Sequence, residues 1–378
     1  MKAGAEGIRT IGRRIGKMRF AVSGGVVQWF PGHMFAATRV IRERLKLADL
    51  VIEVRDARIP LSSANEDLQN VLSHKRRIIA LNKKDLANPN MMHHWIRSFD
   101  SKKQDCIAVN ALSKHSVSQL LALAELKLKE VSSKDTMLVM VVGVPNVGKS
   151  ALINSIHQIA VSRFPVQEKI KRATVGRLPG VTQDIAGFKI SNRPSIYVLD
   201  TPGILVPRIH DIETGLKLAL TGAVKDSAVG EERLAQYLLA ILNIRKTPLH
   251  WNNLMNSAKQ SDGSSPELVE RVSSIFGNSF HKRRKALDVT DIMYVEGLVK
   301  EVMYTLFTTL SEYDGDLDDD ACLESLIDIQ LMSLQKPLKV VHKSSEVVRT
   351  MVSKKLLTLF RTGKLGPFIL DDVSEAIM

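Results

Sequence analysis

"LNKKDL" stands at residues 81–86 and "GVPNVGKS" at 143–150, and the order of these two stretches decides the fold. The second matches G-x-x-x-x-G-K-[ST], follows the apolar "MLVMVV" (137–142) and opens the helical "SALINSIHQIA" (150–160). That is the strand, loop and helix context a phosphate cradle requires. Gly143 and Gly148 let the backbone wrap so that its N–H groups face a β-phosphate, with Val147 and Ala151 in the same cradle. Lys149 neutralises β and γ oxygens, and the Ser150 hydroxyl is placed to ligate Mg2+.

The earlier stretch carries N-K-x-D after the apolar "RIIAL" (77–81). A carboxylate at Asp85 accepts hydrogen bonds from N1–H and the exocyclic amine of guanine, which adenine does not offer. Leaving such an acid unpaired costs about 1–3 kcal/mol or more, so the motif selects GTP over ATP. Asn82 ties this loop to the phosphate loop, the Lys83 stem lies against the base, and Lys84 fills the variable position. Farther on, "VNAL" (109–112) stands where a guanine-binding S-A-K-type loop belongs, with Asn110 beside Ala111, whose N–H is placed for guanine O6. "VLDTPG" (198–203) supplies D-x-x-G: Asp200 for the Mg2+ shell and the Gly203 N–H for a γ-phosphate oxygen. In "GRLPGVTQDI" (176–185), Thr182 is the candidate switch I threonine that closes over Mg2+ and γ-phosphate.

The motifs therefore run guanine loop, O6 loop, phosphate loop, switch I, D-x-x-G, an inversion of the Ras-like order. A parallel sheet assembles one site at the carboxyl ends of its strands whatever the order in which the chain visits them, and a cut in an exposed connection is tolerated. Buried-strand patterns at "LVIEV" (50–54), "RIIAL", "CIAV" (106–109), "MLVMVV" and "IYVL" (196–199) alternate with helical spacing, and "FKI" (188–190) pairs as an antiparallel edge. From about residue 231 strand signals fade, while "ERLAQYLLAILNI", "VEGLVKEVMYTLFTTL" and "SSEVVRTMVSKKLLTLF" have helical periodicity. In the last of these, Val348, Met351, Val352, Leu356 and Phe360 stand at core spacing, with Lys354, Lys355 and Arg361 nearby. The expected fold is α/β: a circularly permuted Ras-like P-loop GTPase domain over 28–230, then a mostly α-helical C-terminal domain over 231–378. Because D-x-x-G leads toward that helical domain, nucleotide state is expected to move it.

An excess of 53 Lys plus Arg over 40 Asp plus Glu gives a formal charge of +13, which suits a polyanionic partner, either RNA or an anionic membrane surface. "HKRRK" (281–285) and "KIKR" (169–172) are the candidate phosphate contacts. Cys106 and Cys322 are too few for a disulfide framework and lack zinc-site spacing. No apolar run approaches the ~20 residues needed to span a bilayer, and "DGDLDDD" (314–320) lacks the glycine and the terminal glutamate of a calcium loop. Residues 1–27 hold six bases against Glu6 alone, and Ile8, Ile11, Ile15 and Met18 fall on one helical face, the pattern of an organelle transit segment or of a basic RNA-binding arm. A P-loop ATPase or metabolic kinase is disfavoured by Asp85. A GTPase regulating translation or signalling through a protein partner would use the same residues.

The motif order, with "QWFPGHM" (28–34), "DARIPLSSAN" (56–65), "LNKKDL", "GVPNVGKS", "PGVT" (179–182) and "LDTPGI" (199–204), resembles the circularly permuted ribosome-assembly GTPases of the YlqF/RbgA type, and with the basic leader their mitochondrial members. The resemblance is specific over about 28–245 and returns at "FRTGKLGPF" (360–368). It implies hydrolysis of GTP to GDP, slow until the ribosome stimulates it, during late assembly of the large ribosomal subunit, with the C-terminal domain touching rRNA and no DNA partner. It also implies a mitochondrial matrix location, peripheral to the inner membrane, with chloroplast or cytoplasm as alternatives. After D-x-x-G, where many GTPases place a water-orienting glutamine, stands Ile204, whose apolar side chain does not serve. The resemblance implies His33 for that role and Asn146 as a K+ ligand near the phosphates.

Overall fold

Parallel pairing of two strands, one buried end to end and the other buried beyond its first residue, sets the frame. In this computed structural model, which describes residues 45–64, 75–130, 136–163, 173–174, 186–192, 195–199, 209, 212–251 and 289–373, β1 (Leu50–Asp56) lies beside β4 (Thr136–Val142) with Leu50 opposite Val139 and Glu53 opposite Val142. Every residue of β1 is buried, as befits a central strand with both faces covered. β2 (Arg77–Asn82) and β3 (Asp105–Ala108) extend the sheet on one side, and β7 (Ser195–Leu199) continues it beyond β4, all parallel. β6 (Ala186–Asn192) then pairs antiparallel with β7, as "FKI" predicts, and the two-residue β5 (Ala173–Thr174) closes the order β3-β2-β1-β4-β7-β6-β5. Two residues have no period, so β5 left no trace in the alternation.

Parallel neighbours need crossovers. α1 (Pro89–Ser101) links β2 to β3 and begins where Asn88 caps it, its side chain accepting from the N–H groups of Asn90 and Met91, with proline at the first helical position. It buries Met92, Trp95 and Phe99 against Ile79 and Leu81 of β2 and against Ala57, just past the end of β1. α2 (Lys114–Lys129), capped by Ser113, links β3 to β4, and α3 (Lys149–Arg163) follows β4 directly. The described chain thus delivers the guanine loop, the O6 loop and the phosphate loop to the same end of the sheet.

Contacts divide the chain into two units. One holds the described residues from 45 to 209 together with the terminal stretch 368–373; the other holds 212–251 and 289–367. The second unit is helical: α4 (Ile212–Leu220), α5 (Glu231–Ile244), α6 (Val289–Ser311), α7 (Asp320–Ser333) and α8 (Ser345–Arg361). α5 is buried from Leu234 to Asn243 on all sides, the pattern of a helix at the centre of its unit. On α8, Val348, Val352, Leu356 and Phe360 are buried as their spacing predicts, whereas Met351 is 38% exposed. The buried stripe turns the other way round the helix, so Ser353 and Leu357 occupy the interior instead.

Bases beside that stripe are engaged within the unit. Arg361 clasps both carboxylate oxygens of Asp226 at 2.8 and 2.6 Å and donates to the carbonyls of Ala219 and Leu220 at the C-terminal end of α4. Lys355 donates to Leu338 O at 2.6 Å, and Lys354 pairs with Glu231 at 3.4 Å. The acidic stretch before α7 is an exposed loop over 314–319, ending at Asp319, whose side chain caps α7 by accepting from Cys322 N–H. Both cysteines are free, and burial pushes the Cys106 thiol up to about 12. Among the described residues no helix is long and apolar enough to cross a membrane. Residues 1–27, "KIKR" and "HKRRK" lie outside the described residues.

Candidate nucleotide site

The phosphate loop runs from the end of β4 to the start of α3. Two glycines are required by what approaches them. A Cβ on Gly143 would sit 2.3 Å from Val54 O of the neighbouring strand, and one on Gly148, at φ +93°, would sit 2.2 Å from Asn82 Nδ2. Between them Asn146 adopts the left-handed conformation at φ 58°, which asparagine tolerates better than most residues. Lys149 is only 6% exposed, its ammonium donating to Val144 O at 3.0 Å, so it is folded back into the loop it serves. Ser150 is exposed and Ala151 half-buried on the first turn of α3, where unpaired helix N–H groups favour an anion.

The guanine-reading loop is locked onto this cradle. Asn82, 2% exposed, donates from Nδ2 to Val147 O at 2.8 Å and accepts at Oδ1 from Ala111 N–H at 3.0 Å. One carboxamide at the end of β2 therefore joins the guanine, phosphate and O6 loops. Lys83, held at φ 61°, donates to Asn146 O at 2.7 Å. Its ammonium thus bridges to the phosphate loop, while its stem is the part expected against the base. Lys84 is exposed, its N–H bonded to Val109 O at 3.1 Å, and Asp85 is exposed on the 3-10 turn Lys84–Leu86. The Asp85 carboxylate, expected to accept from guanine N–H groups, is thus accessible.

In the O6 loop, Asn110 N–H donates to Ser116 Oγ at 3.0 Å and Asn110 Oδ1 accepts from Leu112 N–H at 2.9 Å. Ser155 of α3 donates to Ala111 O, which braces this loop from the phosphate side. The Ala111 amide, expected at guanine O6, is committed here to Asn82 Oδ1. His33, Thr182, Asp200 and Gly203 lie outside the described residues.

Asp56 and Arg58 open the "DARIPLSSAN" motif, which carries no assigned role in the sequence, and they are organising residues of the site. Asp56, at the end of β1 and 1% exposed, accepts from Arg58 at 2.9 and 2.8 Å and pairs with Lys83 at 2.9 Å. Burial opposes its ionisation, but the charges of Arg58 and Lys83 outweigh it and hold the carboxyl well below the usual carboxylate range. The available signal was "DAR" itself, an acid and a base two residues apart at the end of a buried-strand pattern.

Comparison with known proteins agrees with this geometry. Residues 138–263 match the family described as 50S ribosome-binding GTPase. The match begins inside β4, so the guanine loop lies before it, as a permuted order demands. The chain is 66% identical over 362 residues to Short integuments 2, mitochondrial, of Arabidopsis thaliana, covering 96% of this chain and 93% of that protein. It is 38% identical over 225 residues to Ribosome biogenesis GTPase A of Bacillus cereus, covering 57% of this chain and 72% of that protein. To Mitochondrial ribosome-associated GTPase 1 of Mus musculus it is 39% identical over 229 residues, covering 58% and 67%. With the phosphate and guanine motifs in inverted order on one parallel sheet, and with this extent of likeness, the chain belongs to the family of circularly permuted GTPases that includes Ribosome biogenesis GTPase A and Mitochondrial ribosome-associated GTPase 1.

Proposed function

We propose that this GTPase is a switch that assists late assembly of the large ribosomal subunit in the mitochondrion. The observation that carries the reading is the Asn82 carboxamide joining guanine, phosphate and O6 loops, which makes one site of motifs 61 positions apart and inverted along the chain. Lys149 balances phosphate charge, and Asp85 reads guanine. Mg2+, when bound, neutralises the β and γ oxygens; the exposed Ser150 hydroxyl beside a buried lysine fits its shell, with Thr182 and Asp200 as further ligands. The Gly203 N–H registers the γ-phosphate. His33 positions the attacking water in place of the missing glutamine, and Asn146 contributes to a K+ site. Equal turnover in Na+ and K+ buffers would remove the K+ assignment, and wild-type ribosome-stimulated turnover in His33→Ala the other.

The names of the relatives supply the partner and the compartment: ribosome biogenesis in one case, mitochondrial in others. Residues 1–27 act as the organelle leader, 28–230 as the GTPase domain and 231–378 as the ribosome-contacting domain. Because Lys354, Lys355 and Arg361 are engaged within the helical unit, "HKRRK" is the better candidate for rRNA phosphate. The test is sedimentation of the protein, loaded with a non-hydrolysable GTP analogue, through mitochondrial extract. Co-migration with large-subunit precursors is expected. Association with a protein complex alone would replace this reading with a protein-directed switch.

A further inference from the structure

After α8 the chain turns through Gly363 and Gly366 and lays residues 368–371 along the loops that flank the guanine reader. Phe368 N–H donates to Leu86 O at 3.1 Å, at the end of the 3-10 turn that carries Asp85. Leu370 N–H donates to Arg58 O at 2.7 Å. Ile369 is buried in the core cluster that holds Met92, Trp95 and Ala87, the residue that ends that same turn. Asp371 is 1% exposed and accepts three hydrogen bonds: from Leu61 N–H at 2.8 Å, Ser62 N–H at 2.9 Å and Ser62 Oγ at 2.6 Å.

The polar chain does not stop at Ser62. Ser63 Oγ accepts from Asp56 N–H at 3.1 Å and donates to Ile59 O at 2.6 Å. The Asp56 carboxylate holds the Lys83 ammonium, and that ammonium donates to Asn146 O of the phosphate loop. The C-terminal stretch thus reaches the nucleotide loops twice, directly at Leu86 and through Asp56 and Lys83. Asp371, Ser62, Ser63 and Asp56 are not phosphate or guanine ligands in their own right, so their role is to set where such ligands stand.

We propose that Phe368–Asp371 is a strap that positions the Asp85 turn for guanine, so that guanine discrimination and GDP retention depend on the chain's C-terminal stretch. The inference rests on the guanine-binding reading of Asp85. Asp371 is a positioning residue: its loss strands two half-buried amide donors and loosens the 61–63 turn, to which Asp56 is bonded through Ser63 Oγ.

The test compares GDP with inosine diphosphate, which lacks the exocyclic amine that Asp85 reads, on the full chain and its variants. Asp371→Ala is expected to release GDP about tenfold faster while release of inosine diphosphate rises about twofold, the asymmetry expected when one oriented acceptor is displaced. Asp371→Asn, which keeps an acceptor oxygen for the two amides, restores most of the discrimination. Should Asp371→Ala fail to fold, Ser62→Ala, which removes one of the three bonds, is read in the same way with a smaller shift. Equal acceleration for both nucleotides, or none, overturns the strap. A wild-type protein that binds neither nucleotide, or does not prefer GDP, overturns the Asp85 reading instead.

Discussion

Asn82 and Leu356 are both hidden from solvent, at 2% and 0% exposure, yet they hold their regions by opposite means. Around Asn82 the loops are fixed by single polar atoms, each bonded to a carbonyl or amide of another loop, with Gly148 bare so that Nδ2 can come close. Around Leu356 the helices are fixed by volume: leucines, valines and a phenylalanine of α8 pressed on the buried length of α5. Directional bonds fail one at a time and change geometry. Packed volume fails gradually and changes stability.

The largest effect should come from volume. Leu356→Ala is expected to cost about 2–5 kcal/mol of unfolding free energy, read by denaturant titration, while GDP affinity of the folded protein stays put. A matching loss of affinity would break the distinction. Asn82→Ala should do the converse. Leaving Val147 O and Ala111 N–H unpaired costs about 3 kcal/mol, or about a hundredfold in GDP affinity by calorimetry. The helical unit's melting is expected to remain unchanged.

One polar device inside the helical unit sharpens the contrast. Asn243 and Gln330 are both fully buried and exchange hydrogen bonds at 2.8 and 2.9 Å, tying α5 to α7. Asn243→Ala should cost about 1–3 kcal/mol by stranding the glutamine amide, whereas replacing both with leucine should be nearly neutral. The smallest effect concerns acid. A carboxyl held below its unfolded value stabilises the fold above that unfolded value and loses the contribution as pH falls through the folded one. Asp56 is so held, so the Asp56–Lys83 brace is expected intact from pH 7 to about 5, with loss beginning only below the ordinary carboxylate value of about 4. Melting temperature across that window, compared with Asp56→Asn, checks it.

Much of the sheet could be read because a parallel interior strand is a near-continuous apolar run: β1, β2, β4 and β7 stand where their runs do. Met351 was misplaced because periodicity gives a stripe but not its width, and the neighbour decides which side is covered. The periodicity did not mark the helix Asp320–Ser333, whose start is set by a single side chain, Asp319, capping it at the end of an exposed acidic loop.

The sequence by itself determined the chemistry of the nucleotide site, since Gly143, Gly148, Lys149, Ser150 and Asp85 carry requirements that phosphate and guanine impose locally. Their inverted order also determined the permutation. Only the tertiary structure decided what braces that site: Asp56 on Lys83, Lys83 on Asn146, Asn82 on Val147, and Asp371 on a turn 309 positions away. Local motifs answer to a ligand that is always the same, so they are written in short consecutive patterns. Braces answer to whichever segments the folded sheet brings together, and residues far apart in the chain meet only after it has folded.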